Sequence, residues 1–94
     1  MHGEYKMPGG KLVVADLQVV AGRLASVQIS GDFFLEPDSA LEQINRALTG
    51  LPARGLRTDR IRAISNSLDA GVQMYGISAE AVAIAVERAL EDAQ

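Results

Sequence analysis

The chain has 94 residues, 48% of them hydrophobic and 22% charged, which suits one folded core and leaves no room for a second. Nine Lys and Arg against twelve Asp and Glu give a net charge of −3, with no basic run long enough to track a phosphate backbone, so nucleic acid is not an expected partner. Cysteine is absent, which excludes disulfides, thiolate zinc sites and sulfur-ligated iron clusters; no apolar run approaches the ~20 residues that cross a bilayer and no signal-peptide core opens the chain, so no membrane association and a cytoplasmic location are expected.

Period-two hydrophobicity in the first half and a period near 3.6 in the second predict strands followed by helices. The expected class is α+β: one domain over residues 1–94, with a small antiparallel sheet of two or three strands (about 3–35) packed against about three helices (about 37–93). His2 lies at a terminus expected to fray, with no second His or Cys to share a metal. Glu4 to Met7 reads as an edge strand, broken by Pro8-Gly9-Gly10. From Lys11 to Ala21 the apolar positions Val13, Ala15, Leu17 and Val19 alternate with more polar ones; after Ala21-Gly22, Ala25, Val27 and Ile29 alternate with Ser26, Gln28 and Ser30. The pair reads as a hairpin whose turn takes its positive φ at Gly22.

The first helix is expected near Pro37, with Asp38 favouring the positive end of its dipole; Ser39 and Glu42 offer a competing capping box. Leu41, Ile44 and Leu48 form its apolar stripe, and Gly50 and Pro52 end it. After a loop from Pro52 to Arg57, a second helix is expected from Thr58, with Ile61, Ile64 and Leu68 as its stripe and Gly71 as its stop. Met74 and Tyr75 read as packing residues. The last helix has the clearest start, with Ser78 as cap and Ile77 and Val82 as a hydrophobic staple, and it lays Val82, Val86 and Leu90 along one side.

No constellation of catalytic groups emerges. Gly9-Gly10-Lys11 offers backbone N–H groups and a cation, as a phosphate requires, yet Tyr5 occupies the place of the first Walker glycine, Leu12 follows the lysine, and a strand follows in place of a helix. The segment alone reads more simply as a turn. Serines 26, 30, 65, 67 and 78 lack a G-x-S-x-G context, and the acidic residues offer no recognisable pair for proton transfer. In Gly31-Asp32-Phe33-Phe34 adjacent aromatics in an extended segment face opposite ways. Phe33 is expected to continue the core face; Phe34 either covers the other side or, with Asp32, meets a partner.

Three motifs in order, Tyr5-Lys6-Met7-Pro8-Gly9-Gly10-Lys11-Leu12-Val13, then Ile29-Ser30-Gly31-Asp32-Phe33-Phe34-Leu35-Glu36-Pro37, then Gly76-Ile77-Ser78-Ala79-Glu80, resemble the C-terminal accessory domain of lipoate-protein ligases. Residues 53–73 match that family in pattern alone. The resemblance implies a non-catalytic subunit with no independent activity, one part of a two-subunit lipoate-protein ligase. Its partner would be a catalytic subunit that holds lipoate, ATP and Mg and activates lipoate to lipoyl-AMP, and lipoyl-domain proteins would be met indirectly. No cofactor is expected on this chain alone. Pro8, Gly9, Gly10 and Lys11 would then face the catalytic subunit near its nucleotide, with Asp32 and Phe34 as further contacts. Sulfur-acceptor and iron-sulfur scaffold proteins share a strand-then-helix layout but need the thiolate this chain lacks. A structural or dimerisation module with no role in lipoate metabolism is the alternative reading.

Overall fold

A computed structural model describes residues 1–92; the expected helical end at residue 93 lies outside the described residues. Strands β1 (His2–Lys6), β2 (Leu12–Val20) and β3 (Arg23–Gly31) form an antiparallel sheet in that order. A second, two-stranded antiparallel ribbon pairs β4 (Phe34–Glu36) with β5 (Gln73–Tyr75). Helices α1 (Ser39–Leu48), α2 (Arg57–Ser67) and α3 (Ala79–Glu91) complete the α+β fold.

The sheet is amphipathic because its side chains alternate: Val13, Ala15, Leu17, Val27 and Ile29 are buried, whereas His2, Glu4, Asp16, Gln18, Gln28 and Ser30 stand on the wet face. The Ala21-Gly22 turn forms as expected, with positive φ at both residues. The expected inward set of β3 needs one correction. A bulge shifts the register between Asp16 and Gln18, and Ser26 takes a φ of 51°. An extra residue inverts the alternation beyond it, so Leu24 is buried in the core and Ala25 only partly so.

β1 begins two residues earlier than expected, and Met7 falls outside it. His2 is not frayed: its ring nitrogens lie 2.6 Å from Asp16 Oδ1 and 2.7 Å from Glu4 Oε2, and the Met1 ammonium donates to the Leu17 carbonyl at 3.0 Å. These contacts raise the pKa of His2, the Glu4 hydrogen bond most and then that to Asp16.

The two edges of the sheet are covered differently. Leu24 N–H donates to Leu51 O at 2.9 Å, Gly50 N–H to Leu24 O at 2.8 Å, and Ile29 N–H to Asn45 Oδ1 at 3.0 Å, so the loop after α1 and an α1 side chain satisfy β3. At β1, Arg88 Nη1 donates to Glu4 O at 3.0 Å and His2 N–H donates to Asp92 Oδ2 at 3.3 Å, so charged side chains of α3 and the residue after it occupy an edge that could otherwise pair with another strand.

α3 starts as its sequence predicts: Ser78 Oγ accepts from Ala81 N–H at 3.0 Å, and Ile77 and Val82 are buried. Its buried face is mostly alanine, with Ala81, Ala85 and Ala89 spaced four apart, while Leu90 is only half-buried. Small side chains let the helix backbone reach β1. A Cβ built on Gly3 would stand 2.2 Å from Ala89 N and 2.4 Å from Ala85 O, so no larger residue fits there without separating helix from sheet.

The other helices depart from expectation at their ends. α1 begins at Ser39, not Pro37; no side chain caps it, so the proposed Ser39–Glu42 box is absent, and Ala40 joins Ile44 and Leu48 as its buried face with Leu41 at the margin. α2 starts one residue early at Arg57 and ends at Ser67, before Gly71. Its buried residues are Ile64 and, unexpectedly, Arg60, with Ile61 and Leu68 half-buried.

Candidate functional site

The segments singled out in the sequence meet at one end of the β2–β3 hairpin. Between β1 and β2, Gly10 N–H donates to Met7 O at 2.9 Å and Met7 N–H to Lys11 O at 3.3 Å, forming a closed bend with Pro8, Gly9 and Lys11 exposed. Asp32 N–H donates to Leu12 O at 3.2 Å, which brings the Gly31–Phe34 segment beside the bend. A third segment, the junction of β5 with α3, closes the group. A Cβ on Gly76 would fall 2.4 Å from Lys11 Cγ, and Gly76 has a φ of +75°, so the lysine stem lies in space that only glycine leaves open.

Phe33 and Phe34 separate as their alternation demands. Phe33 packs against the core, Leu35 is buried, and Phe34 remains 55% exposed. Phe34 is not alone on that surface. Pairing of β4 with β5 sets it opposite Tyr75, which is 50% exposed, with ring centroids 5.9 Å apart and the planes tilted by 41°. The Tyr75 hydroxyl donates to Gln73 Oε1.

Tyr75, which its sequence context marks as a packing residue, is instead half-exposed on this surface. A three-residue strand carries too little periodicity to register, although Gly71 and Gly76 bracket it. Lys11 and Asp32 form no ion pair among the described residues. The surface is therefore a half-exposed aromatic pair flanked by a lysine and an aspartate, both exposed and without an ion pair among the described residues.

A shallow hollow of about 250 Å³ on the wet face of the sheet is lined by Met1, Asp16, Leu17, Gln18, Ser26 and Gln28 and shares no residue with the bend or the aromatic pair. Among the described residues no group of three or more His, Cys, Asp or Glu is placed to hold a metal ion, and no helix is long and apolar enough to cross a membrane. The polar features of the helical layer lie at the start of α2. There Arg57 chelates Glu87, with Nη2 donating to Oε1 at 3.2 Å, and its guanidinium holds the Glu87 carboxyl below the usual range. The buried Arg60 donates from Nη2 to Ala53 O at 2.9 Å, has no partner for Nε among the described residues, and is pushed below its ordinary pKa by burial.

No protein-family model matches the chain, and no curated protein matches it. A solved structure of an archaeal lipoylation system, described as a bi-partite lipoate protein ligase and its E2 lipoyl domain from Thermoplasma acidophilum, contains a similar chain. It is 27% identical with a TM-score of 0.68, over 92% of this chain and 97% of that one. The two chains are thus close in length and alike from end to end.

Proposed function

We propose that the chain is the non-catalytic subunit of a two-part lipoate-protein ligase, docking on a catalytic subunit that holds lipoate, ATP and Mg and enabling it to make lipoyl-AMP. The observation that carries this reading is the end-to-end likeness to a component of the bi-partite Thermoplasma system. The surface chemistry agrees with it. Phe34 and Tyr75 leave on the order of 200 Å² of aromatic surface open, worth ~5 kcal/mol gross if a partner covers it and before association costs are deducted. In this reading the Pro8-Gly9-Gly10-Lys11 bend and Asp32 border that contact and lie toward the partner's nucleotide.

Activation joins a lipoate carboxylate oxygen to the α-phosphorus of ATP and expels pyrophosphate. A subunit that closes over a shallow site excludes water and strengthens each charge interaction within it. The Lys11 ammonium, which has no carboxylate partner among the described residues, would add a positive charge beside the phosphates.

The test combines the purified chain with its ligase catalytic subunit, Mg-ATP and lipoate, and follows pyrophosphate and lipoyl-AMP. Product should depend on both proteins. Phe34→Ala and Tyr75→Ala should raise the concentration of this chain needed for half-maximal rate by about ten-fold or more each. Lys11→Ala should slow the rate at saturation without unfolding the domain. Full activity of the catalytic subunit alone would refute the reading. Lipoylation of a lysine on this chain would make it the acceptor, and self-association without any effect on activation would favour a dimerisation module.

A further inference from the structure

We infer that the arginine-rich end of the molecule, around the loop from Gly50 to Arg57, is a second docking surface, shaped for an acidic face of the protein that accepts the lipoyl group. The inference rests on the proposed role in lipoylation.

Residues 51–62 hold Arg54, Arg57, Arg60 and Arg62 against Asp59, a net +3 inside a chain of net −3, so all other residues sum to −6. Tertiary structure adds a fifth arginine. Arg23 bridges to Pro52 and donates from Nη1 to Gly50 O at 2.9 Å, which holds it against the same loop. Two of the five are neutralised locally, Arg57 by Glu87 and Arg62 by Asp59. Arg23, Arg54 and Arg60 have no carboxylate in ion-pair range among the described residues. No side chain caps the first turn of α2, so the positive end of its dipole adds to the same field.

Arg23 and Arg54, both exposed, give the cluster its outward charge. Arg60 lies beneath them at 3% exposure, held to Ala53 O and within the field of the Glu87 and Asp59 carboxylates, and adds its charge from under the loop. An acidic surface laid over the loop would bring carboxylates to the two exposed guanidiniums that have no ion pair among the described residues. A nucleic acid fits less well, since two exposed unpaired cations form too short a track and the remaining −6 repels a polyanion.

The position indicates a protein other than the catalytic subunit. Arg23 opens β3 at the turn end of the hairpin, whereas Lys11, Phe34 and Tyr75 gather at the other end, and strands of nine residues separate the two by roughly 25–30 Å. A partner seated on the aromatic pair leaves the arginine end free for the acceptor.

The experiment uses the assembled ligase with its acceptor lipoyl domain and separates the two half-reactions. For Arg54→Glu, and for Arg23→Gln as a milder second variant, the KM for the lipoyl domain should rise about ten-fold and three-fold at low ionic strength. The kcat and the rate of lipoyl-AMP formation should stay unchanged, and the KM effect should shrink as salt screens it. Independently of activation, titrating the isotope-labelled chain with the lipoyl domain should shift amide resonances of residues 50–57, and should do so less in Arg54→Glu. Unchanged KM and unmoved resonances would overturn the inference, as would equal displacement by single-stranded DNA or inorganic phosphate at concentrations matching the lipoyl domain. Loss of lipoyl-AMP formation by the wild-type pair would instead strike the proposed function, and the titration would still decide this surface.

Discussion

The α3–β1 contact and the β4–β5 ribbon each join segments far apart in the chain and end in opposite states. At the first, Gly3 and the Ala81, Ala85 and Ala89 row bring backbone against backbone, and the strand's outer edge is met by Arg88 and Asp92. At the second, Leu35 is buried, but Phe34 and Tyr75 face outward with half their surface open. The first contact is complete within the chain, so its residues should govern stability. The second leaves its aromatic rings open, so its residues should matter little to folding and, on the proposed reading, govern association.

The largest effect should come from Gly3→Val. Added carbon atoms collide with the backbone of Ala85 and Ala89, which cannot yield as a side-chain tip can, and the loss should reach ~3–5 kcal/mol or abolish folding, measured by urea denaturation. Next, Leu24→Ala should cost about 2–5 kcal/mol, because the bulge at Ser26 puts Leu24 in the core; Ala25→Ser, at the position favoured by simple alternation, should cost under about 1 kcal/mol. Equal losses at the two sites would mean the bulge is misplaced. Ser78→Ala should cost about 1 kcal/mol by removing the bond to Ala81 N–H, seen as a lower urea midpoint with an unchanged slope. Tyr75→Ala should fall below all of these in stability, within about 1 kcal/mol, while weakening association with the catalytic subunit; a large stability loss would erase the contrast between the two regions.

The smallest effect is pH-dependent. The pKa of His2 is raised in the folded chain, chiefly by its hydrogen bond to Glu4 and then by that to Asp16. The protonated ring therefore favours the folded state. Its contribution is fully present below the unfolded value near 6.5 and is lost as pH rises through the higher folded value. The stability difference between the wild type and His2→Gln, followed by denaturation across pH, should shrink toward alkaline pH. A difference that grew with pH would contradict the carboxylate clamp.

How far the surface could be read in advance differs by residue. Lys11 and Phe34 were visible because a Gly-Gly-Lys bend and adjacent aromatics are local features. Tyr75 was not, since its place beside Phe34 depends on pairing two three-residue strands separated by two helices. Arg60 was hidden for a related reason: arginine on a helix is ordinarily a solvated residue, and nothing local announces that the 53–55 turn folds over its guanidinium. The frayed reading of His2 failed because its partner Asp16 lies across the sheet.

By itself the amino-acid sequence determined the α+β class, the Ala21-Gly22 hairpin, the Ser78 start of α3 and the apolar rows of β2, since turn chemistry, capping and hydrophobic period act within a few residues. Tertiary structure decided the bulge that brings Leu24 inward, the ribbon that pairs Phe34 with Tyr75, the glycine contact beneath α3 and the seating of Arg23 against the loop at Gly50 and Pro52. Each joins residues far apart in the chain, and such contacts form only once loop closure and the burial of a shared core have fixed the elements against one another.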